Sequence, residues 1–150
     1  MMEKLTVTLG FIEFPPTYTG DGGNLSPPIR LSNLQSPYLA VFAFNPYEKG
    51  CSFCTWVAWD IPAAHQIPAG LPAIETIESP IHAKQGRNDY GEIGYRGPAP
   101  PQGETQRYLF KVYGLDALLD LPAGSEKHAV INAMKGHVLQ FGETQALCQR

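Results

Sequence analysis

The chain has no run of basic residues, no apolar stretch of membrane-spanning length and only three cysteines in 150 residues. Each absence excludes a class of function. Without a basic run there is no electrostatic face for nucleic acid, and 14 acidic against 11 basic residues leave a net charge of only −3. A membrane helix needs about 20 consecutive apolar residues, so no span is expected. The N-terminal MMEKLTVTLGFIEF has no basic segment leading into an apolar run, so no secretory leader is read and a cytoplasmic location is expected.

Reactive groups are equally sparse. Cys51 and Cys54 form a C-x-x-C, and Cys148 stands alone. A redox pair belongs at a helix N-terminus, where the thiolate is stabilised, but the residues that follow, Thr55-Trp56-Val57-Ala58-Trp59, read as a strand. A zinc site needs two further Cys or His ligands at short spacing. None stands nearby, and no two of His65, His82, His128 and His137 have metal-ligand spacing. The cysteines are therefore read as ordinary thiols. Ser26 lies in S-P-P and not in a G-x-S-x-G elbow. Asp89 and Glu92 could pass for an acid–base pair, but Asp89 sits in an N-D-Y-G turn, where bonding to backbone N–H groups is the ordinary use of aspartate. With no nucleophile–base pair, metal set or cofactor motif, the expectation is a protein that is not an enzyme and carries no cofactor or metal.

What is present is a soluble globular composition, 43% hydrophobic and 17% charged. A single domain over residues 1–150 is expected, enough to bury about 68–70% of its unfolded surface. Lys4 to Leu9 alternates with period two and reads as a strand. Ile29 to Leu31 reads as a short strand. Tyr38–Phe44 and Phe53–Ile61 are apolar almost throughout, as strands buried on both faces would be. His65 to Gly70 reads as a loop, and Ala73 to His82 as a poor strand and a turn. Arg107 to Leu115 alternates as a third core strand. Ser125 to Met134 is the one helix expected, with Ser125 as N-cap, an apolar face of Ala129, Val130, Ala133 and Met134, and Gly136 in the left-handed position past its end. His137 to Phe141 reads as a last short strand, and Asp60 as a residue facing solvent or a partner copy. Many strands, one late helix and long Gly/Pro loops make the fold class mostly β, a sandwich.

Gly86 to Tyr108 is the unusual segment. It holds five of the 15 glycines and three of the 14 prolines. Loops longer than about 12–15 residues are functional or disordered as a rule. Tyr90, Ile93, Tyr95 and Tyr108 can pack, and Pro98, Pro100 and Pro101 stiffen the backbone, so this one reads as an ordered wall of a small site.

The spellings of these loops resemble one family. Asp21-Gly22-Gly23-Asn24-Leu25-Ser26-Pro27-Pro28 resembles its D-G-x-N-x-S-P-P. Phe44-Asn45-Pro46 stands at its D-P-D-A-P, and Trp56-Val57-Ala58-Trp59-Asp60-Ile61-Pro62 is similar to its H-W-V-x-x-x-I-P strand. Gly86-Arg87-Asn88-Asp89-Tyr90-Gly91 resembles G-x-N-D-[FY]-G. Gly94 to Pro101 resembles G-Y-x-G-P-x-P-P, and Gln106-Arg107-Tyr108 resembles H-R-Y. These motifs occur in order, and they mark the chain as resembling the phosphatidylethanolamine-binding protein (PEBP) family, in its bacterial and archaeal branch, which includes Raf kinase inhibitor-like proteins. The resemblance implies a β-sandwich of two antiparallel sheets, a small anion pocket for phosphate-like groups at one edge and, as the alternative activity, inhibition of a kinase or serine protease through surface loops. It also implies a homodimer.

On that resemblance the candidate pocket residues are Asn45, Tyr47, Phe53, Thr55, Tyr95, Gly97, Pro100, Gln106 and Tyr108. Four of them depart from the family pattern. Asn45 and Tyr47 replace the two aspartates of D-P-D, Thr55 replaces the histidine before W-V, and Gln106 replaces that of H-R-Y. Every titratable group of the family pocket has become neutral, so an anion would meet donors without cations. The expectation is a small pocket for phosphate-like or polar groups, weakened or retuned. Arg107 remains, as part of the pocket wall.

Overall fold

The computed structural model describes residues 4–47 and 53–150. Cys51 therefore lies outside the described residues, and the pairing of the C-x-x-C with it.

Among the described residues, ten strands and one α-helix follow in order: β1 (Thr6–Thr8), a 3-10 turn (Pro16–Tyr18), β2 (Ile29–Ser32), β3 (Tyr38–Asn45), β4 (Phe53–Pro62), β5 (Gln66–Ile67), β6 (Thr76–Ile77), β7 (Ala83–Arg87), β8 (Thr105–Leu115), β9 (Gly124–Glu126), α1 (Lys127–Met134) and β10 (Val138–Gln149). β1, β2 and β5 form a small antiparallel sheet. The large sheet runs β10-β8-β3-β4-β7-β6 through antiparallel pairs, and β9 lies parallel to β7 at Gly86 and Gly124. Two antiparallel sheets facing each other make the expected β-sandwich.

The apolar runs of β3 and β4 are explained by two cores. Leu39, Val41 and Ala43 of β3, with Trp56, Ala58 and Ile61 of β4, face the small sheet and meet Leu5, Val7, Ile29, Leu31 and Ile67. Ala40 and Phe42, with Cys54, Val57 and Trp59, point the other way, against Leu115, Leu119, Val130 and Met134. Successive side chains of a strand point to opposite faces. A strand covered on both faces must therefore be apolar at nearly every position.

Several expectations need correction. β10 is twelve residues long and not a short strand ending at Phe141; it pairs with β8 from Val138–Leu115 to Gln149–Thr105. Gln66–Ile67 is a two-residue strand within the segment read as a loop. β7 was not read at all, because Ala-Lys-Gln-Gly-Arg has no apolar alternation and its buried Gln85 is polar. Gln85 accepts a hydrogen bond from Trp56 Nε1 at 2.8 Å and donates to the carbonyls of Pro72 (2.7 Å) and Ile74 (3.0 Å), so burial leaves its amide satisfied. The helix begins at Lys127, not Ser125. Its N-cap is Glu126, which makes no side-chain cap bond, and Ser125 Oγ instead donates to Pro122 O at 2.7 Å. The apolar face and the left-handed Gly136 stand as expected, with Val130 and Met134 buried and Gly136 at φ 83°. Asp60 does not face solvent: in a left-handed backbone (φ 57°) it accepts from Leu119 N–H at 2.8 Å and stands 3.6 Å from Lys84 Nζ. Aspartate tolerates that conformation and is used here to bring the segment before α1 back onto β4.

Candidate functional site

The site lies where β3, β4 and β8 end beside the Gly/Pro loop. On β8, Gln106, Tyr108 and Phe110 are buried on one face while Arg107 is exposed on the other. Arg107 is therefore no part of the pocket wall, since strand alternation turns it away from its neighbours. Gln106 and Tyr108 meet Asn45 at the end of β3. Asn45 Nδ2 donates to Tyr108 Oη at 3.3 Å, and Tyr108 Oη donates to Gln106 Oε1 at 3.2 Å. All three side chains are buried. Asn45 Oδ1 also accepts the Tyr47 N–H at 2.9 Å, an Asx turn that fixes the amide from behind.

Phe53 stands directly across the β3–β4 pair from Asn45 and shares its face. Its ring carries the edge of Tyr90 at 4.8 Å, and Arg96 lies over Tyr90 at 4.8 Å. Thr55 occupies the irregular step of that pair, and its hydroxyl donates to Ala43 O at 3.3 Å. Tyr47 is 53% exposed, so its ring stands at the surface and does not plug the site.

The remaining candidates hold the walls. Tyr95 meets Trp56 edge-on at 5.7 Å and donates to Tyr18 O at 2.7 Å. Burial raises its phenol well above the ordinary range, with Cys148 and Tyr108 adding to the shift, so it stays a neutral donor. Gly97 N–H donates to Asn24 Oδ1 at 2.7 Å, and Gly20 N–H donates to Pro98 O at 2.8 Å, which clasps the D-G-G-N loop to the G-P-A-P-P loop. Pro100 lies slightly apart: its carbonyl accepts from Arg150 Nη1 at 3.2 Å, and it faces a different cavity. Thus Asn45, Gln106 and Tyr108 are brought into one hydrogen-bonded series, flanked by Phe53, Thr55 and Tyr47. Tyr95 and Gly97 serve the framework.

Asp89 is structural, but not through its own turn. It accepts the Cys54 N–H of β4 at 2.8 Å and pairs with Lys127 at the start of α1. Asn88 closes the turn instead, accepting from Tyr90 N (3.0 Å) and Glu92 N (3.1 Å). Sequence reasoning missed that the tail past Phe141 continues as the second half of β10, which brings Cys148 opposite Gln106 beside this region. The signal was the alternate burial of Gly142, Ala146 and Cys148, hidden by the polar Glu143-Thr144-Gln145.

Cys54 is fully buried and its thiol donates to Trp56 O at 3.2 Å. Burial, with a smaller push from the Asp89 charge, drives its pKa from 9.0 up to about 12. The Cys148 thiol is also raised, by burial first and then by Asp21 and Glu13. The thiolate is the reactive form. In native protein at pH 8, a disulfide-exchange reagent is therefore expected to leave Cys54 and Cys148 unmodified, and to label both after denaturation. Fast native labelling of Cys54, located by mass spectrometry, would contradict its burial. The linked effect on stability follows from the sign of the shift. The protonated thiol favours the fold fully below pH 9.0, and its contribution fades as pH climbs toward about 12.

The chain matches known proteins along its length. The family model for phosphatidylethanolamine-binding protein matches residues 8–149. A UPF0098 protein of Pyrococcus abyssi is 40% identical over 153 residues, covering 99% of this chain and 86% of that protein. A UPF0098 protein of Methanothermobacter thermautotrophicus is 38% identical over 139 residues, covering 91% and 90%. The crystal structure of Escherichia coli YbcL, described as a new member of the mammalian PEBP family, superposes with a TM-score of 0.85 at 24% identity and covers 99% of both chains. With the loop spellings, the sandwich and these matches in agreement, the chain belongs to the phosphatidylethanolamine-binding protein family.

Proposed function

We propose that this chain is a non-enzymatic binding protein whose small pocket, at Asn45, Thr55, Gln106 and Tyr108, takes a neutral polar group in preference to a phosphate. One observation supports the reading above the others: Asn45, Tyr108 and Gln106 form a buried series of neutral donors and acceptors, with Asn45 and Gln106 standing where the resembled D-P-D and H-R-Y motifs have an aspartate and a histidine. None of the three can become cationic to meet a phosphate, and an anion drawn into a buried neutral site loses its hydration without a compensating charge. The reading keeps the expected cytoplasmic location and, on family grounds, a homodimer. Inhibition of a kinase or protease stays the alternative, and no residue of this chain selects such a target.

The test is to restore the charges. Asn45→Asp, Thr55→His and Gln106→His combined are expected to tighten O-phosphoethanolamine binding about tenfold or more in titration calorimetry, since each of the two new histidines offers a charged hydrogen bond that exceeds a neutral one by about 1 kcal/mol. An unchanged affinity in the folded variant would sink the view that neutralisation weakened this pocket for phosphate.

A further inference from the structure

We propose that a second cavity, between the D-G-G-N loop, the G-P-A-P-P loop and the end of β10, binds a small zwitterion with an apolar body, an α-amino acid with an aliphatic side chain. The space is about 250 Å³. It falls just below the roughly 300–1,000 Å³ typical of small-molecule sites, which limits the occupant to a compact molecule. The floor is apolar: Phe14 and Cys148 are buried there, with Pro16 and Pro100 beside them. The rim carries one acid and one base. Asp21 and Arg150 face each other at 3.3 Å, both about half exposed, and Arg150 is steadied by its bond to the Pro100 carbonyl. Their charges reach the floor, since Asp21 raises and Arg150 lowers the Cys148 thiol, with Glu13 adding to the former.

The choice of a zwitterion follows from this pairing. An exposed ion pair contributes little to stability, so opening it costs little. A carboxylate at Arg150 and an ammonium at Asp21 would replace one solvated pair with two charge-assisted contacts. An aliphatic side chain would at the same time cover Phe14 and Pro100. A ligand with a single charge satisfies one member of the pair and strands the other. This site is separate from the Asn45–Tyr108–Gln106 series, although the two share a wall: Phe14 lies edge-on to Tyr108 at 5.9 Å, and Cys148 stands opposite Gln106.

Amide-resolved NMR titration tests the proposal. L-Leucine is expected to give saturable shifts at the backbone amides of Thr19, Asp21, Gly22, Cys148 and Arg150. The one-charge analogues 4-methylpentanoate and isopentylamine should each bind about tenfold more weakly, and Asp21→Asn should weaken leucine by a similar factor. Asp21 is at the surface, and an otherwise unchanged spectrum verifies the fold of that variant. No saturable shift at these amides overturns the proposal, as does equal binding of the analogues. Shifts confined to Asn45, Gln106 and Tyr108 also overturn it, and they would assign leucine to the other pocket.

Discussion

Gly97→Val is expected to destabilise the protein by about 3 kcal/mol or more and to lower Tm by about 10 °C. The reason is close approach and not φ, since Gly97 has no left-handed backbone. A Cβ at this position would stand 2.4 Å from Tyr18 O, 2.7 Å from the Thr19 carbonyl carbon and 2.8 Å from Gly20 N. All three are backbone atoms, so no rotamer change relieves the contact. Gly20 is packed the same way from the other side, its Cβ position 2.6 Å from Gly97 O. Separating the loops would also break the Asn24–Gly97 and Gly20–Pro98 hydrogen bonds. Gly103→Ala is the control. That glycine has φ 85° and open space around its Cβ position, so the substitution should cost only about 1 kcal/mol of backbone strain. Differential scanning calorimetry of both variants decides the matter. Equal Tm values for Gly97→Val and wild type would mean that the two loops are not clasped as described.

The contrast between these glycines shows what a sequence exposes and what it conceals. The motif spelling picked out Gly97 as a candidate pocket residue, but not whether a glycine there serves a ligand, a turn or a neighbouring loop. Only the meeting of residues 18–20 with 97 answers that, and they are far apart in the chain. Strands covered on both faces were legible, because β3 and β4 write their burial as unbroken apolar runs. β7 was not, because a fully buried glutamine satisfied by Trp56, Pro72 and Ile74 looks like a surface residue until its partners are known. Which residues to consider for a pocket was legible through resemblance, along with four departures from the family pattern. The hydrogen bonds that join Asn45 to Gln106 through Tyr108 were not, since they depend on the β3–β8 pairing. Arg107 shows the opposite error: its place in a recognised triplet suggested the pocket wall, while simple alternation along β8 assigns it to the exposed face.

Asp89→Ala is expected to cost about 2–3 kcal/mol, with the loss centred on α1 and the start of β4. Its carboxylate holds three parts of the chain together. One oxygen takes both the Cys54 N–H of β4 and the ammonium of Lys127 at the first turn of α1, while the residue itself belongs to the N-D-Y-G turn after β7. The pair is largely shielded, with Lys127 13% and Asp89 25% exposed, so it is not the solvated kind that contributes almost nothing. A cation at a helix N-terminus opposes the helix dipole. Lys127 is placed against that dipole, and Asp89 supplies the negative charge that offsets it. Removing the carboxylate therefore takes an acceptor from a β4 amide and a counter-charge from a poorly placed lysine in one step. Asp89→Asn should recover part of the loss by keeping an acceptor for Cys54 N–H, and Lys127→Met should recover part of it in the Asp89→Ala background by deleting the cation. Hydrogen exchange gives the local readout: Cys54 N–H and the amides of α1 should exchange faster in Asp89→Ala while those of β1 and β2 do not change. Uniform acceleration across both sheets, or no rescue by Lys127→Met, would show that the carboxylate does not act through this junction.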